Sequence, residues 1–186
     1  MCRKKHLGWC ALLFGGMLMA EVAAAEVPPM KSEQITQWLA AAPAVYQWSR
    51  EHPETASAHQ ITDITQLSEV FSQRVRASGK DSEALSQLLS KHGFNNYDEW
   101  SQMFERLMLA VSALNMRAKN IGPSLRDAMT QLANDQDIDE ETRDRLLQEY
   151  AAVMKTIEVL ETVPDEDINA VAPFEPQIRA WLDSAR

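Results

Sequence analysis

Apolar residues along this chain recur three and four positions apart, and no stretch keeps the two-residue alternation of a half-buried strand, so the pattern predicts helices throughout. The first begins near Ser32, a good N-cap residue, and carries Ile35, Trp38, Leu39, Val45 and Tyr46. Pro43 falls inside it and predicts a kink or a break, because proline lacks the N–H that the helix ladder needs. Residues 50–60 are polar, contain Pro53 and read as a loop. A second helix is predicted from Thr62 to Ser78, with Ile64, Leu67, Phe71 and Val75 on one face, and a third from Asp81 to His92, with Leu85, Leu88 and Leu89 inward. Gly79, Gly93 and Gly122 each stand where an apolar pattern stops, the position of a left-handed cap; Phe94 is placed to pack back over Gly93 in a Schellman ending.

Asn96-Tyr97-Asp98-Glu99 predicts a helix start with a reciprocal capping box. The helix it opens runs to about Asn120, with Trp100, Phe104, Leu107, Val111, Leu114 and Ala118 in one stripe and Met103, Met108, Leu109 and Met116 outside it. A helix apolar nearly all round belongs in the middle of a bundle, or presents one face to a partner. Pro123 suits the first turn of the next helix, about 123–133. A long helix follows from Asp139 to Thr162, with Leu146, Tyr150, Val153, Ile157 and Leu160 inward and with Asp139–Arg143 and Glu141–Arg145 spaced for ion pairs. A short helical turn at 165–171 and a last helix near 174–184, burying Phe174, Ile178 and Trp181, complete an all-α bundle of six to eight helices.

The amino terminus changes the picture. Arg3, Lys4, Lys5 and His6 precede an apolar stretch from Leu7 to Ala20, and Val22-Ala23-Ala24-Ala25 then offers small residues where a signal peptidase reads. Residues 1–25 are therefore expected to be a cleaved signal peptide and residues 26–186 one periplasmic helical domain without a stable membrane anchor. Cys2 and Cys10 leave with the signal, so the mature chain can form no disulfide and depends on its core. The whole chain has 18 basic and 27 acidic residues; losing Arg3, Lys4, Lys5 and Glu21 leaves 15 against 26, a net charge of −11. That balance argues against nucleic acid, which is bound through basic patches.

Candidate chemistry is sparse. Asp135, Asp137 and Asp139 stand at the spacing that opens a calcium loop, but the required glycine and glutamate are Glu140 and Leu146. Asp165, Asp167 and Asn169 repeat the opening, with Ala170 and Pro176 at those places; both clusters read as helix-start acids that complement the helix dipole. His52, His59 and His92 form no ligand pair at helical spacing. There is no Gly-x-Ser-x-Gly turn and no glycine-rich phosphate loop, so no catalytic, metal or cofactor residue is named. The mature methionines make no copper-binding run, and Trp38, Trp48, Trp100 and Trp181 read as core anchors. Residues 135–167 hold twelve acids against Arg143, Arg145 and Lys155, so most of the mature negative charge lies there.

The sequence therefore points to a non-enzymatic envelope protein that binds a protein or peptide of unidentified kind. The surface expected to do so is Asp139, Glu140, Glu141 and Asp144, or the apolar surplus of Met108, Leu109 and Met116. A small hydrolase with an unrecognised site and a binder of small apolar ligands between helices are the alternatives. Amino-terminal sequencing of the protein recovered from a periplasmic extract should read Glu26-Val27-Pro28-Pro29; an intact precursor in the cytosol would refute the export assignment.

Overall fold

A computed structural model describes residues 27–52, 64–77 and 79–184. The predicted signal peptide, most of the polar loop with His59, and the predicted helix ends at Thr62 and Ser78 lie outside the described residues. Those described form an all-helical compact bundle without strands: α1 (Ser32–Glu51), α2 (Leu67–Ala77) after a 3-10 turn, α3 (Lys80–Ser90), α4 (Tyr97–Ala118), α5 (Ile121–Asn134), α6 (Glu140–Glu161), α7 (Asp165–Val171), and α8 (Glu175–Ser184) after a second 3-10 turn.

The centre of the bundle is α4, which packs against α1, α2, α3, α5, α6 and α7. Its apolar surplus is what permits this. Trp100, Leu107 and Val111 are buried on the expected stripe, and Met103, Ala110, Ala113 and Met116 are buried beside them. The helix opens as its sequence predicts, with the Glu99 N–H donating to Asn96 Oδ1 at 2.9 Å. The reciprocal half of the box is shifted by one residue: Glu99 accepts from the Asn95 backbone N–H and side-chain amide, not from Asn96.

Helix α1 runs unbroken through Pro43. The missing hydrogen bond is outweighed by a stripe buried on both sides of it, Ile35, Trp38, Ala41, Ala42, Val45 and Trp48. Its N-cap is Lys31, one residue before the expected Ser32, and the Lys31 N–H donates to Gln34 Oε1. At the end of α3 the Schellman ending is present: Gly93 has φ 83°, the Phe94 N–H donates to the Leu89 carbonyl, and Phe94 is buried. Gly79 is also left-handed, but it stands at the N-cap of α3, so Asp81 lies inside that helix.

Gly122 is a correction. The left-handed residue between α4 and α5 is Asn120, with φ 52°, and Gly122 already lies inside α5. Its hydrogen faces α6, where a Cβ would stand 3.2 Å from Ile157 and 2.9 Å from Glu161 Oε1, so glycine is needed for close helix approach. Arg126 closes the same contact on Glu161. Ile157 and Leu160 are buried there, whereas Val153, expected on the inner face, is 49 % exposed and Leu146 and Tyr150 are half-buried. The first half of α6 thus packs chiefly on α5 as the outer part of a helical hairpin.

The remaining fastening is ionic. Asp167 is almost wholly buried and takes a bidentate contact from Arg106 of α4, at 2.7 and 2.9 Å from Nη2. The same carboxylate accepts the Met30 N–H at 2.8 Å, and Arg106 also donates to the Pro28 carbonyl. The segment leading into α1 is thereby tied to α4 and α7. Arg117 pairs with Asp165 and donates to the Val163 carbonyl, holding the start of α7 against α4. Removing one member of a buried pair strands the other, so Asp167→Asn should cost about 3 kcal/mol of unfolding free energy in urea denaturation. A loss below about 1 kcal/mol would show that the pair does not hold the segment.

Candidate functional site

The sequence-expected surface does not come together. Asp139 caps α6, accepting the Thr142 N–H at 2.9 Å, and that hydrogen bond lowers its pKa. Glu140, Glu141 and Asp144 are exposed on the first turns of α6, at the opposite end from its buried residues Ile157 and Leu160. Met116 is only 6 % exposed, and Met108 and Leu109 are half-buried against the main core, so the apolar trio is largely spent on packing. The expected ion pairs of α6 are also replaced. Arg143 donates to the carbonyls of Asp135 and Ile138, which the turn leaves free, and Arg145 pairs with Glu149. Asp135 accepts the Asp137 N–H in a local turn.

A different site is present. A partly enclosed cavity of about 310 Å3 lies between the last turns of α1, the middle of α2, the start of α4 and the end of α8. Helical spacing brings its walls into register. Val45, Trp48 and Ser49 face it from α1, three and four residues apart, together with Tyr46; Phe71 and Val75 do so from α2, four apart. Tyr97, Trp100 and Phe104 line it from successive turns of α4, and Trp181 closes it from α8.

The rings hold one another in place. Trp38, fully buried, stacks on Trp100 and on Phe104, each at 5.5 Å between centroids, and meets Trp181 edge-on at 5.0 Å. Trp100 stacks in turn on Tyr97 and Phe104. Trp48 is backed by the His52 ring at 4.4 Å, while His52 Nδ1 lies 2.8 Å from the Trp48 carbonyl. Offset-stacked and edge-to-face aromatic pairs contribute about 0.5–1.5 kcal/mol each beyond the area they bury. Large, rigid, mutually locked rings cannot collapse into the space they surround, which is why a cavity persists in an otherwise close-packed core.

The walls are mostly aromatic and aliphatic. Among the described residues, no carboxylate, imidazole or basic group lines the cavity; the polar residues in its wall are Tyr46, Tyr97 and Ser49, beside the tryptophans. Ser49 Oγ donates to the Tyr46 carbonyl within its own helix and has no base beside it on the wall. The indole nitrogens of Trp48 and Trp100, and of Trp38 beneath them, are buried without a hydrogen-bond partner. Among the described residues, no group of three or more histidine, cysteine or acidic side chains is placed to hold a metal ion.

Beside the cavity, the seam between α2 and α4 is closed by Ser72 and Ser101, whose hydroxyl oxygens lie 3.2 Å apart and are buried. Asp98 is held below the ordinary aspartate pKa, first by a hydrogen bond from Ser72 and then by Arg76, 3.2 Å away. Sequence reading marked the tryptophans and Phe104 only as core anchors. Rings at helical spacing on one helix predict burial, and nothing along the chain says that four helices will aim theirs at one point.

No family model, no curated protein and no solved structure matches this chain.

Because the folded pKa of Asp98 is lowered, the stabilisation it provides is fully present above the unfolded value of about 4 and is lost as pH falls through the folded one. Asp98→Asn should lower stability at pH 7 by less than about 1 kcal/mol, and the difference from the native protein should shrink as pH falls through the folded pKa of Asp98. A difference that persists unchanged at the acidic end would show that the charge of Asp98 is not what matters.

Proposed function

We propose that this protein is an exported, non-enzymatic binding protein of the bacterial envelope, and that its ligand is a small, uncharged, largely apolar molecule taken into the aromatic cavity. Of the three activities that the sequence leaves open, the cavity supports this one. The observation that carries the reading is a space of about 310 Å3 walled, among the described residues, by aromatic and aliphatic side chains and by no ionised group. Its volume stands at the lower end of the range for ligand pockets, about 300–1,000 Å3, and bundles place such pockets between helices.

The walls favour binding over catalysis. Hydrolysis needs a nucleophile with a base in reach and donors for the developing negative charge, whereas this cavity offers hydroxyls, indoles and rings. A charged ligand would lose its hydration without gaining a counter-ion, which disfavours it strongly. The acidic residues 135–167 serve, in this reading, as a solvated surface that keeps an uncrosslinked exported domain dispersed. Glu140, Glu141 and Asp144 remain exposed there for a basic partner, and none of them lines the aromatic cavity.

The tryptophans in the wall provide the readout. Titrating the mature protein with naphthalene should shift and quench tryptophan emission to saturation. Val45→Phe, which adds a ring at a wall position that is already buried, should fill the space and abolish the response while the far-UV spectrum stays helical. Unchanged binding in a folded Val45→Phe protein would place the ligand elsewhere and remove the basis of the proposal.

A further inference from the structure

Resting on the export reading, we infer that the residues just after the expected cleavage site form a strap whose docking shuts the signal peptidase out, so that the signal peptide must leave before the domain closes. The strap is residues 28–31. The Pro28 carbonyl accepts from Arg106 Nη2 at 3.0 Å, the Met30 N–H donates to Asp167 Oδ1 at 2.8 Å, and the Lys31 N–H donates to Gln34 Oε1 at 2.9 Å. Between the first two contacts the Met30 side chain is sunk into the main core, with 4 % of its surface left exposed. Val27, one residue ahead of the first held carbonyl, is 69 % exposed. The anchored backbone therefore begins at Pro28.

Length decides what this anchoring does to the cleavage site. The bond expected to be cut joins Ala25 to Glu26, and Pro28 lies three residues beyond Ala25. Fully extended, that stretch reaches at most about 11 Å. A domain of about 160 residues has a radius of gyration of about 15 Å. A protease takes its substrate as an extended segment seated in a cleft, with chain on both sides of the scissile bond. A tether shorter than the radius of the body it carries drives that body against the rim of any cleft that seats Ala25. Docked strap and seated cleavage site exclude each other.

The anchors also fix the order of events. Arg106 is 78 residues beyond Pro28, and Asp167 is 137 residues beyond Met30. Neither can hold the strap until most of the chain has followed it across the membrane, and until then the cleavage site is free. Once both have arrived, the bidentate pairing of Arg106 with the buried Asp167 keeps the anchor in place. A precursor that folds first can be cut only through its undocked state, at a rate set by how often that state is populated.

The test is cleavage of the folded, full-length precursor by purified bacterial signal peptidase in mild detergent micelles, with a helical far-UV spectrum recorded for each sample beforehand. A companion precursor keeps every anchor and lengthens only the tether, by about ten glycine and serine residues inserted between Glu26 and Val27, which adds a mean reach of about 17 Å. The lengthened precursor should be cut roughly tenfold faster or more. Asp167→Asn in the original precursor, which weakens the anchor at its natural distance, should raise the rate roughly threefold or more. Equal rates for the original and lengthened precursors would overturn the inference. A rate unmoved by Asp167→Asn, in a sample still helical, would overturn the assignment of Asp167 as the anchor. Cleavage of none of the three would remove the signal-peptide reading on which the inference rests.

Discussion

The buried contact between Arg106 and Asp167 sets the geometry on which the rest of this fold depends. A carboxylate so deeply covered is tolerable only when its acceptor capacity is used, and here two guanidinium nitrogens and the Met30 N–H use it. The pair brings three distant parts of the chain to one point: the middle of α4, the start of α7, and the residues just ahead of α1. Because α1 begins two residues after Met30, its rotational setting is bound to that contact. The setting decides that Trp38 faces α4 and that Val45 and Trp48, about two and three turns farther on, face the gap beside α2.

From there the aromatic residues build on one another. Trp38 is the hub, packed face to face with Trp100 and Phe104 and edge-on to Trp181. Stacked rings resist compression, and the α2 side of α4 is held close by small residues, Ser72 against Ser101. The outcome is a tight seam next to an open one. The stacked rings around Trp38 support the open space by keeping its walls from moving inward. Walls so rigid would lose little conformational freedom if a ligand entered.

The acidic hairpin of α5 and α6 plays a separate part. It joins the bundle at Gly122, Ile157 and Leu160, where the absence of a side chain on Gly122 lets the two helices approach. Beyond that base its buried apolar content falls away, which is how Val153 comes to be exposed in the middle of a stripe that looked continuous. The aromatic cavity stands apart from this hairpin, in walls drawn from α1, α2, α4 and α8. None of the described helices is long and apolar enough to cross a membrane.

Local physics was legible in the chain itself. The helical periodicity, the caps at Asn96 and Asp139, the Schellman turn at Gly93 and the central position of α4 follow from side chains within a few residues of one another, so they can be read without the fold. What tertiary structure alone decided involves partners far apart in sequence. Asp167 looked like a helix-start acid and is an ion-pair anchor, because Arg106 lies on another helix. Gly122 looked like a cap and is a contact point, because α6 returns against it. Met116 looked available and is covered, because several helices close over α4. Trp48, Trp100 and Trp181 looked like filling and instead surround a cavity. A stripe of rings specifies that a face will be buried; only the meeting of helices determines whether the rings interlock or stand around a space.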